Sequence, residues 1–237
     1  MPDLMTMAWK EVNEFLGNLR SARVFLVAVL LMGVLPSLEH THVNGAAAAG
    51  SILLLVRLIY VMLAAMIAVA QTAPDLVLHE RVGRTLDYLL TTRLPDSAIF
   101  GGKVLVAAAI GYLAVLASIG VQLVVSTLFS GGWSWLFLTL PEGRIIAFGL
   151  TAALCVYVAV IGTFVALRVG DQRAAYLVTV LCVGVLAVPF ILGWLHIQLT
   201  AGWLGQAALV FGAFDVVLAV AGVLAFRREM LVLYLQE

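Results

Sequence analysis

Apolar residues fall in six long blocks along this chain, and the polar residues between them are few and clustered. A helix crossing a hydrocarbon layer about 30 Å thick needs about 20 mostly apolar residues. Ala22–Leu38, Ser51–Thr72, Val104–Phe129, Ile145–Leu167, Ala174–Leu195 and Ala207–Phe226 meet that requirement, so the pattern predicts six membrane-spanning helices. The first block is the shortest. Pro36 lies near its end, and Lys10, Arg20 and Arg23 flank it as they would a secretory signal. The sequence starts at Met1, so this block is expected to be retained as a span.

Ahead of the first block the period changes. Leu4, Met5, Ala8, Trp9, Val12, Phe15, Leu16 and Leu19 recur at helical spacing, while Asp3, Thr6, Lys10, Glu11, Asn13, Glu14 and Asn18 take the other face. Residues 1–21 therefore read as an amphipathic helix lying along a membrane interface, with Trp9 as a headgroup anchor. A helix packed on another protein would have the same pattern. Trp133, Trp135 and Phe137 in the loop Ser130–Arg144, and Trp203 in the loop His196–Gln206, suit the opposite interface.

Composition agrees with this layout. Hydrophobic residues make up 64% of the chain and charged residues 11%, and mean hydropathy is +1.13. A soluble surface needs about twice that charge. The fold class is all-α integral membrane. Net charge is zero, which excludes a strong nucleic-acid footprint. Cys155 and Cys182 both lie in apolar runs and read as small packing residues.

The 13 Lys and Arg residues set the orientation. In an alternating six-span arrangement, all but Arg144 and Arg57 fall on one side. The positive-inside rule makes that side cytoplasmic, along with both termini. The expected location is the cytoplasmic (plasma) membrane.

The longest polar stretch, Ala73–Lys103, lies between the second and third spans. Gly83 interrupts one helical run and Thr85 can cap a new one, with Leu86, Leu89 and Leu90 on a single face. Pro95 stops it, and Asp96 or Ser97 then caps the helix leading into the third span. Residues 84–94 thus form a short amphipathic helix, suited either to a groove on a partner or to lipid headgroups.

Glu80, Gly83, Thr85, Leu86, Leu89, Leu90, Thr92 and Pro95, followed by Gly102-Lys103, resemble the loop of type-2 ABC permeases, the membrane subunits of many ATP-binding-cassette exporters. Arg84 between Gly83 and Thr85, and Arg93-Leu94 before Pro95, depart from that pattern. The resemblance implies an N-terminal elbow helix, six spans, and a coupling helix at 84–94 that engages an ATPase. It also implies a second copy of this chain or a related permease, and separate ATP-binding cassette subunits carrying ATP and Mg. Glu80, Gly83, Thr85, Leu86, Leu89, Leu90 and Pro95 would be the coupling residues. The haem-exporter permease of cytochrome c maturation shares this size and layout.

Chemistry on the chain itself is sparse. The sequence contains no G-x-x-x-x-G-K-[ST] phosphate loop, no G-x-S-x-G elbow and no H-E-x-x-H pair, so no enzyme activity is expected. His40 and His42 beside Glu39 read as polar loop residues, and no metal is expected. Arg57 and Asp215 are more informative, because charges inside spans are functional by default. Each lies about 9–12 Å below the outer interface, so they are candidates for an intramembrane charge pair or for pathway residues. Arg57 could instead extend outward. Gln122, Tyr157 and Thr151 offer further polar lining, and Pro189 a break in the fifth span. A secondary transporter using Arg57 and Asp215, or a non-transporting scaffold or assembly protein, are the other classes this pattern allows.

Overall fold

A computed structural model of the chain describes residues 6, 9–13, 17, 19–38, 47–82, 96–130, 141–169, 171–196 and 201–225. Among these, every ordered element is helical. α1 is Leu19–Leu38, α2 Ala47–Val82, α3 Asp96–Ser130 and α4 Pro141–Arg144. A π-helical turn, Ile145–Leu150, leads into α5, Thr151–Arg168; α6 is Gln172–His196 and α7 Ala201–Ala225. Residues 9–13 are helical too. Four helices are long and apolar enough to cross a membrane, over Ile59–Glu80, Ser97–Leu128, Ile145–Arg168 and Gly205–Leu224. Among the described residues, Phe25–Leu35 and Gln172–Gly184 are shorter apolar helical stretches.

Two expected boundaries move. The helix that carries the second expected span runs past Thr72, through Pro74 to Val82. α3 begins at Asp96, ahead of the expected Val104. Ala73–Lys103 is therefore mostly helix, and only residues 83–95 separate α2 from α3. The reason is packing. Ala73, Pro74, Leu76, Val77 and Leu78 are buried, so the tertiary contact outweighs the proline and the polar residues that suggested an exit from the helix. At 1.5 Å per residue, α2 and α3 are each more than 50 Å long, well beyond a hydrocarbon layer of about 30 Å. α6 likewise runs unbroken through Pro189.

The core lies where α2, α3 and α5 meet, around Val61, Val69, Ile99, Phe100, Leu150 and Val158. α1 packs on α2 and α3, α6 on α5 and α2, and α7 mainly on α5 and the π turn. Small residues let the central helices close up. A Cβ on Gly111 would sit 2.0 Å from Val69 Cγ2, and one on Gly162 would sit 2.9 Å from the Ala73 Cβ. Only glycine fits either crossing. The outer helix contrasts with this core, since 11% of the Gly205–Leu224 stretch is buried against 67% of Ile59–Glu80. In the π turn, both the backbone N–H and the hydroxyl of Thr151 donate to the Ile146 carbonyl. That double acceptance accounts for the widened turn.

A candidate functional site of buried charges

The stems of segment 83–95 meet a cluster of charged side chains. Leu76 and Glu80 are four residues apart on α2 and so share a face. Lys103 is the eighth residue of α3 and turns toward that face. The third contributor is remote in sequence: Lys10 and Glu11, in the N-terminal helical residues.

Lys103 Nζ lies 2.7 Å from Glu11 Oε1, 2.7 Å from the Leu76 carbonyl oxygen and 2.8 Å from Glu80 Oε2. The ammonium donates to Glu11 Oε1 and the Leu76 carbonyl, and Glu80 Oε2 adds an opposite charge beside it. Glu80 Oε1 accepts a second ammonium, from Lys10 Nζ at 2.7 Å. Lys103, Glu11 and Glu80 are each at most 3% exposed, while the Lys10 side chain is 38% exposed. Two cations and two anions make the cluster neutral. Glu11 Oε2 has no hydrogen-bond partner among the described residues. Burial pushes the Glu11 carboxyl above its ordinary value of 4.5, against the opposing charge and hydrogen bond of Lys103.

Such a cluster ties three segments together geometrically. Removing one partner from a buried ion pair leaves the other uncompensated, at a cost of about 3–5 kcal/mol. The N-terminal helical residues, α2 and α3 are therefore held as one joint beside segment 83–95.

Sequence reasoning selected Glu80 but not its neighbours. The helical spacing puts Glu11 on the polar face of an amphipathic helix, and the structure buries it. Lys103 was read as the end of a loop motif. The available signal was a Glu near the end of one apolar block and a Lys near the start of the next, with a Lys-Glu pair in the amphipathic segment. Opposite charges at block ends can meet when helices run past the membrane surface.

Of the other expected site residues, only some lie among the described residues. Gly83, Thr85, Leu86, Leu89, Leu90 and Pro95 lie outside the described residues. Arg57 lies on α2, and its side chain is outside the described set. Asp215, on α7, is buried at 4% exposure, and its Oδ1 has no hydrogen-bond partner among the described residues. α2 is not among the main neighbours of α7. Gln122 donates from Nε2 to the Met32 carbonyl at 3.2 Å, joining α3 to α1. The Tyr157 ring stands 6.2 Å from that of Phe214. His, Cys, Asp and Glu do not group into a metal-binding set among the described residues.

No protein-family model matches this chain, and no curated protein matches it.

Proposed function

We propose that the chain is the membrane-spanning permease subunit of an ABC transporter, an exporter by the resemblance of its loop. On this reading it works with a second copy of itself or a related permease, and with separate cassette subunits that bind and hydrolyse ATP with Mg. The observation that carries the reading is the buried cluster of Lys103, Glu11, Glu80 and Lys10. It locks both stems of segment 83–95 to the N-terminal helical residues. A force delivered to that segment by an ATPase would therefore move α2, α3 and the N-terminal helix together, not bend a loop. The lengths of α2 and α3 support this, because helices over 50 Å long hold their connection clear of the hydrocarbon.

The remaining expectations complete the proposal. Six spans place both termini and the 83–95 segment in the cytoplasm, with the basic residues. Trp9, 69% exposed, anchors the elbow helix at the headgroups. Residues 84–94 are the coupling helix, with Leu86, Leu89 and Leu90 against the ATPase.

The test is direct. Leu89→Asp or Leu90→Asp places a charge at the centre of that contact, where truncations cost about 2 kcal/mol or more. The variants should insert normally but lose co-purification with the ATPase, or uncouple hydrolysis from transport. Normal binding and transport by both would end the coupling role, and ATP hydrolysis by the purified chain would end the two-chain arrangement. Cysteines at Asn44 and Gly202 should react with an impermeant thiol reagent from outside. Reaction at a cysteine replacing Ser97 would reverse the orientation.

A further inference from the structure

Asp215 lines a groove of about 590 Å³ between α7 and the helix formed by the π turn and α5. Gly149, Ala152 and Val156 form one wall, and Gly205, Ala208 and Gly212 much of the other. The glycines leave real space: a Cβ added to Gly205 or Gly212 would meet no atom within 4 Å. Small residues alone would say nothing about an occupant. The carboxyl does, because Asp215 is buried, its Oδ1 lacks a partner, and no basic side chain lines the groove among the described residues.

Position narrows the chemistry. Asp215 stands about 21 Å along the axis from Ala201 and about 15 Å from Ala225, deep within α7. Phospholipid headgroups stay outside the hydrocarbon layer and do not reach that depth. A buried carboxyl needs a donor, and the surrounding walls are apolar. A drug-sized ligand fits the volume, since such sites run to about 300–1,000 Å³. We propose that this groove binds a single lipid-soluble amine, its ammonium on the Asp215 carboxylate and its apolar body along the glycine and alanine walls. A charge-assisted hydrogen bond supplies the specificity, and the small residues supply the room. Binding needs neither nucleotide nor an ATPase, so the site stands or falls separately from the permease reading.

The test uses the full chain in phosphatidylcholine nanodiscs and a twelve-carbon primary amine carrying a diazirine. Photolysis should label peptides from 149–156 and 205–219, and dodecylamine should compete at least tenfold better than dodecanol. Asp215→Asn should remove that tenfold preference. Gly212→Leu, which fills the groove and leaves the carboxyl in place, should abolish labelling at both segments. Equal competition by amine and alcohol overturns the proposal, as does unchanged labelling of either variant. Phosphatidylethanolamine competing as well as dodecylamine would assign the carboxyl to the headgroup layer and also overturn it. A spontaneous disulfide between copies carrying Gly212→Cys would give the groove to a second chain, with the same consequence.

Discussion

The Lys103 cluster and Asp215 show two treatments of charge in one helical bundle. At the cluster, three segments converge on an ammonium, and oxygens surround it within 2.8 Å. On α7 a carboxyl is buried too, yet its Oδ1 has no partner among the described residues and an open groove runs beside it. In the first arrangement every charge faces an opposite charge from the same chain, so it makes a joint. The second is incomplete, so it marks where the chain takes something from outside. Burial alone does not distinguish them; the partners do.

The largest expected effect comes from breaking the first arrangement. Lys103→Met strands the buried Glu11 carboxylate and leaves Glu80 with Lys10 alone, and we expect a loss of about 3–5 kcal/mol in unfolding free energy, read by thermal or denaturant melts in detergent. Adding Glu11→Gln leaves the Lys10–Glu80 pair neutral and should recover at least about 1 kcal/mol. Strict additivity of the two changes would show that the charges are not coupled.

Next come the glycines, which sharpen the contrast between the dense core and the open groove. Gly111→Ala forces a methyl against the stiff, buried Val69 and should cost about 1–3 kcal/mol. Gly212→Ala meets nothing within 4 Å and should be neutral, or gain about 0.5–1 kcal/mol from helix propensity. Equal melting shifts for the two would mean that the packing of the two regions does not differ.

Asp215→Asn should change stability by less than about 1 kcal/mol, the worth of one ordinary hydrogen bond, because its Oδ1 has none to lose. A loss as large as that of Lys103→Met would reveal a protein partner for Asp215 and erase the distinction. The smallest effect is in pH. The folded Glu11 carboxyl takes up its proton above 4.5, before the unfolded chain does. Its contribution to stability therefore falls as pH rises from 4.5 through the raised value, and is level above it. Melts of wild type against Glu11→Gln should show that negative slope as their difference; a positive one would contradict the burial of Glu11.

Much of the bundle was legible in the sequence, because hydrocarbon demands apolar length and little else satisfies it. The helix ends were less so. Pro74, Asp75, His79 and Glu80 read locally as a loop, yet they continue α2 because α5 and α6 pack against it. Asp215 stood out as a charge within an apolar block, since that oddity is written in one segment. The cluster did not, because Glu11, Glu80 and Lys103 come from three segments and each is unremarkable among its neighbours. Periodicity reports which face a residue occupies, and it does not report what that face meets. Glu11 shares the polar face of its helix and is buried all the same.

The cluster also bears on the order in which the protein is made. Glu11 precedes its ammonium by 92 residues. At about 5–20 residues per second, Lys103 is added roughly 5–18 s after Glu11. Glu11, and later Glu80 once α2 is made, wait through that interval for Lys103. They reach their final burial when α3 is threaded beside them. Lys103 thus joins the N-terminal helical residues, α2 and α3 only once α3 has been made.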